Sequence, residues 1–505
     1  MPKNALQTVK DTPLALADPP RSRNWMERLW SSIADRGRSF ASIPAPGVPE
    51  LERAKQLTTA LLSERGEASG AAVSRELLTV LRKLPAADRL TYYLFLAEHF
   101  HPDETNLVAA AQEYLNSRSL QAAAALADAS EPPRQEVLRR INMSEGGTLL
   151  LVDLRKGLAE ELRDHPVLKL LDADLRHLFS SWFNRGFLEL RRIDWQTSAA
   201  VLEKLITYEA VHEIQGWDDL RRRLAPDRRC FAFFHPALPD EPLIFVEVAL
   251  VTGLATSVQL LLERKTDTAE QLAQAAAADT AIFYSISNCQ DGLRGISFGN
   301  FLIKQVVEEL RAELPGLTQF ATLSPVPGFR RWLQPRLDEA NLPDLTLSPQ
   351  ECAALLDAAG LPPDPDCEPK EIAGAIKALL AMESWPRMDK FREALRPVML
   401  RLAAIYLTRY KDLKFRIDPV ARFHLGNGAR LERINWMANA AQAGMAESFG
   451  LMVNYLYDPE TIEANHERFT RDGEVVHANA VQALLIPTPP PAPAPPSLLR
   501  RYIFK

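Results

Sequence analysis

The sequence predicts an α+β protein: an all-helical bundle domain followed by a domain that mixes strands and helices and carries a helical insertion. Three observations predict it. Apolar residues recur at helical spacing through about the first third of the chain. Aromatic and β-branched runs appear only after about residue 186. The last of the early strand-like runs leads into a glycine-rich turn and then an amphipathic helix, the order expected of an α/β or α+β unit.

Residues 1–46 mix Arg with Asp and Glu, contain many prolines, and read as a mobile lead-in. Residues 47–185 form the helical domain. Leu51, Ala54, Leu57, Leu61 and Leu62 share one helix face; Leu77, Leu78, Leu81 and Leu84 share another, as do Tyr93, Leu94, Leu96 and Ala97. The alanine-rich stretch Leu120 to Leu126 is helix-prone, and Pro132 and Pro133 mark the start of the next helix. From 186 to 480 the pattern changes. Phe187 to Ile193 is strand-like. Cys230 to Phe234 and Leu243 to Leu250, joined by a proline-rich connector from Pro236 to Pro242, read as a hairpin, and Ala281 to Ser287 as a third strand. Helical periodicity returns at about 335–412, broken near Pro362, Pro363 and Pro365, and is expected to be an insertion. Gly450 to Tyr457 holds the last strand. Residues 481–505 form a proline-rich tail of extended character.

The composition narrows the function classes. With 59 Lys+Arg against 65 Asp+Glu the net charge is -6, so no basic excess points to nucleic acid or an anionic membrane. No apolar run is long enough for a membrane span; Leu243 to Leu262, the nearest, contains Glu247 and Gly253 and reads as a strand followed by a loop or helix. The four cysteines (Cys230, Cys289, Cys352, Cys367) have no zinc spacing. A disulfide framework is not expected and a reducing compartment is. The N-terminal residues lack a signal-peptide core, and Asp11, Asp18, Glu27 and Asp35 argue against a mitochondrial address. The final Tyr502-Ile-Phe-Lys505 is not a peroxisomal one. The expected location is the cytoplasm.

Three stretches could carry chemistry. Gln290, Gly292, Leu293, Arg294 and Gly295 lie between a strand and a helix whose apolar residues share a face. Glycines there let backbone approach a ligand and offer N–H groups to an anion. Spacing alone favours a plain strand-to-helix turn over a pyrophosphate cradle, because Gln290 stands where a dinucleotide fingerprint needs glycine. Ser324 sits at the edge of a rigid turn set by Pro325, Pro327 and Gly328; alone it reads as a cap or turn residue. His424, beside Gly426-Asn427-Gly428, is a candidate acid or base, against the plainer reading of a loop histidine. His99 and His101 read as surface residues and His235 as part of the hairpin connector. Glu247 fits a buried acid or an outward strand position equally well.

Read together, these stretches resemble malonyl-CoA decarboxylases. The resemblance rests on Phe283-Tyr-Ser-Ile-Ser287, Gln290-x-Gly292-Leu-x-Gly295 and Phe301-Leu-Ile-Lys304; on Leu323-Ser-Pro-Val-Pro-Gly-Phe329; on Phe423-His-Leu-Gly-Asn-Gly-Ala429 followed by Arg433-Ile-Asn-Trp-Met-Ala438; and on Gly450-Leu-Met-Val-Asn-Tyr-Leu-Tyr457. It spans about 185 to 460 and is looser before that. It implies a GNAT-like acyltransferase-type catalytic domain and a helical domain that makes homodimers or homotetramers. It implies conversion of malonyl-CoA to acetyl-CoA and carbon dioxide through an enolate, in fatty-acid metabolism, with coenzyme A as part of the substrate and no cofactor or metal. It raises the pyrophosphate reading of Gln290 to Gly295, makes Ser324 and His424 the catalytic pair, and places Tyr457, Ser285 and Asn427 around the acyl group. Ser297 stands where some members carry glutamate, which puts any role for that acid in doubt. An acyl-CoA acyltransferase and a non-catalytic acyl-CoA-binding scaffold are the rival readings.

Overall fold

The computed structural model describes residues 25–486 apart from 42, 45–46, 64–65, 210, 264–266, 297–301, 344, 363, 365–366 and 410–415. The lead-in up to residue 24, the tail from residue 487 and Ser297 lie outside the described residues; residues 481–485, expected within the extended tail, instead lie in a helix, Asn479–Leu485, with Val481 buried. The chain forms two compact units. The first comprises residues up to Trp182 together with Asp291–Ile296; the second comprises Phe183–Gln290 and the rest from Ser297.

The first unit is helical: α1 (Trp25–Gly37), α2 (Glu50–Ser63), α3 (Glu67–Lys83), α4 (Ala86–His99), α5 (Glu104–Ser117), α6 (Leu120–Ser130), α7 (Pro133–Asn142), α8 (Gly147–Glu161) and α9 (Leu168–Trp182). Local chemistry sets the ends. Asp103 and Ser119 cap α5 and α6 by accepting from Asn106 N and Ala122 N, and proline opens α7. The periodic apolar faces are the buried ones: Ala54, Leu57 and Leu61 on α2, and Leu77, Leu78 and Leu81 on α3. His99 and His101 are exposed.

The second unit is built on a mixed sheet: β1 (Glu189–Ile193), β2 (Arg228–Phe234), β3 (Ile244–Val251), β4 (Thr280–Asn288), β5 (Gln319–Thr322), β6 (Ser324–Pro325), β7 (Arg430–Asn435) and β8 (Met452–Leu456). The strand order is β1-β2-β3-β4-β5-β8-β6, with β7 on β8. The first four strands are antiparallel neighbours, so the expected hairpin is β2 and β3. β1 starts at Glu189 because Arg185–Phe187 forms a 3-10 turn. β4 and β5 run parallel only from Thr280↔Gln319 to Phe283↔Thr322. Beyond Phe283 the two part: β4 continues along β3, while the other chain turns at Ser324 onto β8. One sheet face packs on α10 (Ala199–Tyr208) through Val201, Leu202, Leu205, Ala232 and Phe245. The other buries Ile282, Tyr284, Ala321, Leu323 and Met452.

α11 (Trp217–Arg223) precedes β2. α12 (Val258–Leu262) and α13 (Thr268–Ala277) follow β3, and α14 (Leu302–Glu313) lies between β4 and β5. α15 (Phe329–Asp338), α16 (Pro349–Ala358), α17 (Pro369–Leu380) and α18 (Asp389–Thr408) fill the returning helical region, and α19 (Pro419–Gly426) leads back to β7. The cysteines correct one expectation. Cys352 on α16 and Cys367 before α17 form a disulfide, Cα–Cα 5.8 Å, where α16 and α17 pack against each other. Cys230 and Cys289 remain buried thiols. Among the described residues no helix is long and apolar enough to cross a membrane.

Candidate active site

Where β4 and β5 part, several buried polar side chains of the second unit meet. Ser324 lies just past the turn, and its Oγ is 2.9 Å from His424 Nε2. Its own proton goes to Thr322 Oγ1, also at 2.9 Å. With that proton spent, the His424 ring donates from Nε2 to Ser324 and accepts at Nδ1 from the Tyr457 hydroxyl, 2.8 Å away. Tyr455 stacks on the imidazole, ring centroids 4.7 Å apart. His424 is 3% exposed. Burial pushes its pKa down to about 3, so the ring is neutral. Burial pushes Tyr457 and Tyr455 well above the usual phenol range. The cluster is an uncharged relay that runs from the Thr322 and Ser324 hydroxyls through the His424 imidazole to the Tyr457 phenol.

Asp418 holds its two chain segments together. At the start of α19 one carboxylate oxygen accepts from Val420 N and Ala421 N, capping the helix that carries His424. The other accepts from Gly328 N at 2.9 Å and Tyr406 Oη at 3.2 Å, at the base of the Ser324 turn. Burial pushes this acid up while those donors pull it down. Gly328 is required by space: a Cβ there would lie 2.1 Å from Tyr406 Oη. Asn454 fixes the strands below, donating to Thr322 O at 2.8 Å and accepting from Asn435 Nδ2 at 2.8 Å. Neither Asp418, Thr322 nor Asn454 was singled out for a role by sequence. Asp418 had one local signal, an aspartate directly before a helix-starting proline.

The remaining candidates fall elsewhere. Tyr457 touches the Phe283 ring on β4, centroids 6.4 Å apart. Two residues along the same strand, Ser285 Oγ meets both carboxylate oxygens of Glu209 at 2.8 Å, and Ser287 Oγ meets one at 3.2 Å. Glu209 also accepts from Val211 N and His212 N. Ser285 is therefore bonded to Glu209, a residue that sequence did not flag, and no hydrogen bond joins it to Ser324 or His424. Asn427 spends its amide on Phe423 O at 2.6 Å, closing the end of α19. It lies three residues after His424. Gln290 donates to Pro242 O at 3.2 Å. Asp291–Leu293 is a 3-10 turn, Gly295 has φ +80°, and Arg294 is exposed and paired with Asp291. His235 is a turn residue that accepts from Ala237 N. Glu247 is a buried acid, 2.6 Å from Arg223, not an outward strand position. Burial pushes it up to about 8, against the pull of that guanidinium. Among the described residues no group of three His, Cys, Asp or Glu side chains could hold a metal.

Residues 186–493 match the malonyl-CoA decarboxylase C-terminal domain, and residues 100–183 the malonyl-CoA decarboxylase N-terminal domain. The mitochondrial malonyl-CoA decarboxylase of Anser anser anser is 39% identical over 342 residues, 66% of each chain. That of Rattus norvegicus is 37% identical over 348 residues, 67% of this chain and 68% of its own. A solved malonyl-CoA decarboxylase structure from Agrobacterium vitis is 47% identical with TM-score 0.75, and one from Rhodopseudomonas palustris is 45% identical with TM-score 0.74. Each alignment covers 86% of this chain and 99% of the other.

Proposed function

The chain belongs to the malonyl-CoA decarboxylase family, and from that membership we propose how it converts malonyl-CoA to acetyl-CoA and carbon dioxide. Ser324, His424 and Tyr457 are the reacting protein groups. The observation that carries this is their continuous, buried, uncharged relay at the point where β4 and β5 separate.

Decarboxylation breaks the bond between C2 and the carboxylate carbon. The electron pair moves onto C2 and is shared with the thioester oxygen as an enolate. Donors aimed at that oxygen act most strongly in the transition state, where its charge is largest. The parted strands supply room for them: past Phe283, β4 has no strand ladder on its β5 side, so its main-chain groups can meet the extended arm and thioester of the substrate. This opening between two parallel strands also supports the GNAT-like reading of the fold. The enolate then takes a proton at C2. Ser324 Oγ–H turns from Thr322 to C2 and delivers it. The His424 Nε2 proton replaces it on Oγ, and Nδ1 takes the Tyr457 proton. Protons then move back along the relay, from Nδ1 to the phenol oxygen and from Oγ to Nε2, and Oγ takes its proton from water that enters as the product leaves, which restores the starting tautomer. The imidazole stays neutral throughout, as its burial requires. Overall the malonyl carboxylate and one proton become carbon dioxide and a methyl group. The step as written consumes no metal, biotin or nucleotide, and coenzyme A enters as part of the substrate.

Gln290 and Gly292 to Gly295 form the cradle for the coenzyme pyrophosphate, with Arg294 exposed to reach a phosphate. In the helical unit α5 has no buried residue and exposes Val108 and Leu115, while Leu120 on α6 is 87% exposed. Such a face supports self-association into a homodimer or homotetramer, which light scattering measures. A place in fatty-acid metabolism follows from the substrate, and cell fractionation tests a cytoplasmic location.

Purified protein given malonyl-CoA alone, with chelator present, should release acetyl-CoA and carbon dioxide in equal amounts. Binding without release would overturn the mechanism and favour an acyl-CoA sensor.

A further inference from the structure

The six residues Asp291–Ile296 leave the sheet unit and pack with the helical one. One side chain organises them. Arg155, on α8 and 7% exposed, donates from Nη1 to Gly292 O at 2.7 Å and to Arg294 O at 3.0 Å. Its Nε is tied to Asp172 Oδ1 at 2.8 Å, which fixes the plane of the guanidinium. The approach is close enough to dictate sequence: a Cβ on Gly292 would lie 1.9 Å from Val152 O on α8. The acid of the segment is offset as well, because Asp291 pairs with Lys156 at 3.0 Å and with Arg294 at 3.1 Å.

A backbone loop that binds an anion must turn N–H groups toward it and carbonyls away. Two carbonyls captured by one rigid guanidinium achieve that, and because Asp172 offsets its charge the effect is on the orientation of the loop. We propose that Arg155 is a positioning residue for malonyl-CoA, holding the Gly292 and Arg294 carbonyls so that the loop is preset for the coenzyme pyrophosphate. This rests on reading Gln290 to Gly295 as the coenzyme cradle. It gives the helical unit a part in substrate affinity, distinct from any part in self-association.

The test compares malonyl-CoA with malonyl-pantetheine, which carries the same reacting group and no nucleotide. Wild-type enzyme should show a much higher kcat/KM for malonyl-CoA. In Arg155→Gln the kcat/KM for malonyl-CoA should fall about tenfold to a hundredfold, mostly through KM, the scale set by losing hydrogen bonds from a charged donor. Turnover of malonyl-pantetheine should change by less than about twofold, because a defect confined to the nucleotide end leaves the acyl chemistry alone. Equal losses on both substrates would overturn the proposal and make Arg155 a structural tie only. Equal use of both substrates by the wild type would overturn the cradle reading itself. Arg155→Lys keeps the charge without the fork and is the variant to use should the glutamine form not fold. It should show the same substrate-selective loss, and wild-type kinetics in it would likewise overturn the assignment.

Discussion

Two buried polar clusters, one in each unit, are built differently, although the sheet unit also buries ion pairs such as Arg223 with Glu247. In the helical unit Arg134 and Asp174 form a buried ion pair 2.5 Å apart, closed by Gln135 Nε2 at 2.6 Å and by a bond from Arg134 to Phe100 O. Every partner there ties one helix to another. In the sheet unit Ser324, His424, Tyr457 and Thr322 are equally buried but uncharged, and they sit where two strands stop pairing. Ion pairs in the first unit hold shape. The neutral chain in the second keeps movable protons in a dry place, where a charged imidazole would be costly. Burial alone therefore does not mark a reactive site. Burial of a neutral relay beside an interruption in the backbone ladder does.

The sharpest way to break this contrast is at His424. His424→Ala should fold and bind substrate but lose about a hundredfold to ten-thousandfold in kcat, read from initial rates of carbon dioxide release. Ser324→Ala should lose about a hundredfold to a thousandfold. Wild-type rates in both would remove the relay from the chemistry. Asp418→Ala comes next. It leaves Gly328 N, the first amides of α19 and Tyr406 Oη without their shared acceptor, so it should cost about 2–4 kcal/mol of stability and lower kcat as the serine and histidine drift apart. Urea unfolding and kinetics on one preparation measure both. Arg134→Ala should reverse the pattern, losing about 3–5 kcal/mol by stranding Asp174 while the folded fraction keeps its wild-type kcat.

The pH dependence of stability tests the same contrast. An unfolded histidine titrates near 6.5, whereas folded His424 titrates at about 3. Between those values the unfolded chain binds a proton that the folded chain refuses. The contribution of His424 is therefore fully present above about pH 6.5 and is lost as pH falls toward 3, with a slope of about 1.4 kcal/mol per pH unit. His424→Gln should flatten that slope in denaturant titrations. In the wild type, kcat should show no acid limb near pH 6.5.

What could be read in sequence was what local pattern encodes. Helix faces such as Leu77, Leu78 and Leu81, and the hairpin of β2 and β3, follow from periodicity and turn residues. Ser324, His424 and Tyr457 were reached through motif resemblance, not through any signal that they meet. The partners that make them a site are distant in the chain. Asp418 reaches Gly328 across 90 residues, Ser285 reaches Glu209 across 76, and Arg155 reaches Gly292 across 137. No periodicity reports such pairs. The disulfide escaped for a related reason. Two cysteines 15 apart become neighbours only once α16 and α17 lie side by side.

That pairing changes what a thiol reagent would see. With Cys352 and Cys367 joined, Cys230 and Cys289 are the remaining thiols, and both are shielded by the sheet unit. A colorimetric disulfide reagent should find no reactive sulfhydryl in the native enzyme, and two after unfolding without reductant. The native protein would then add no background to a coupled assay that counts liberated coenzyme A. A rising thiol count during storage would be an early sign that the second unit is opening.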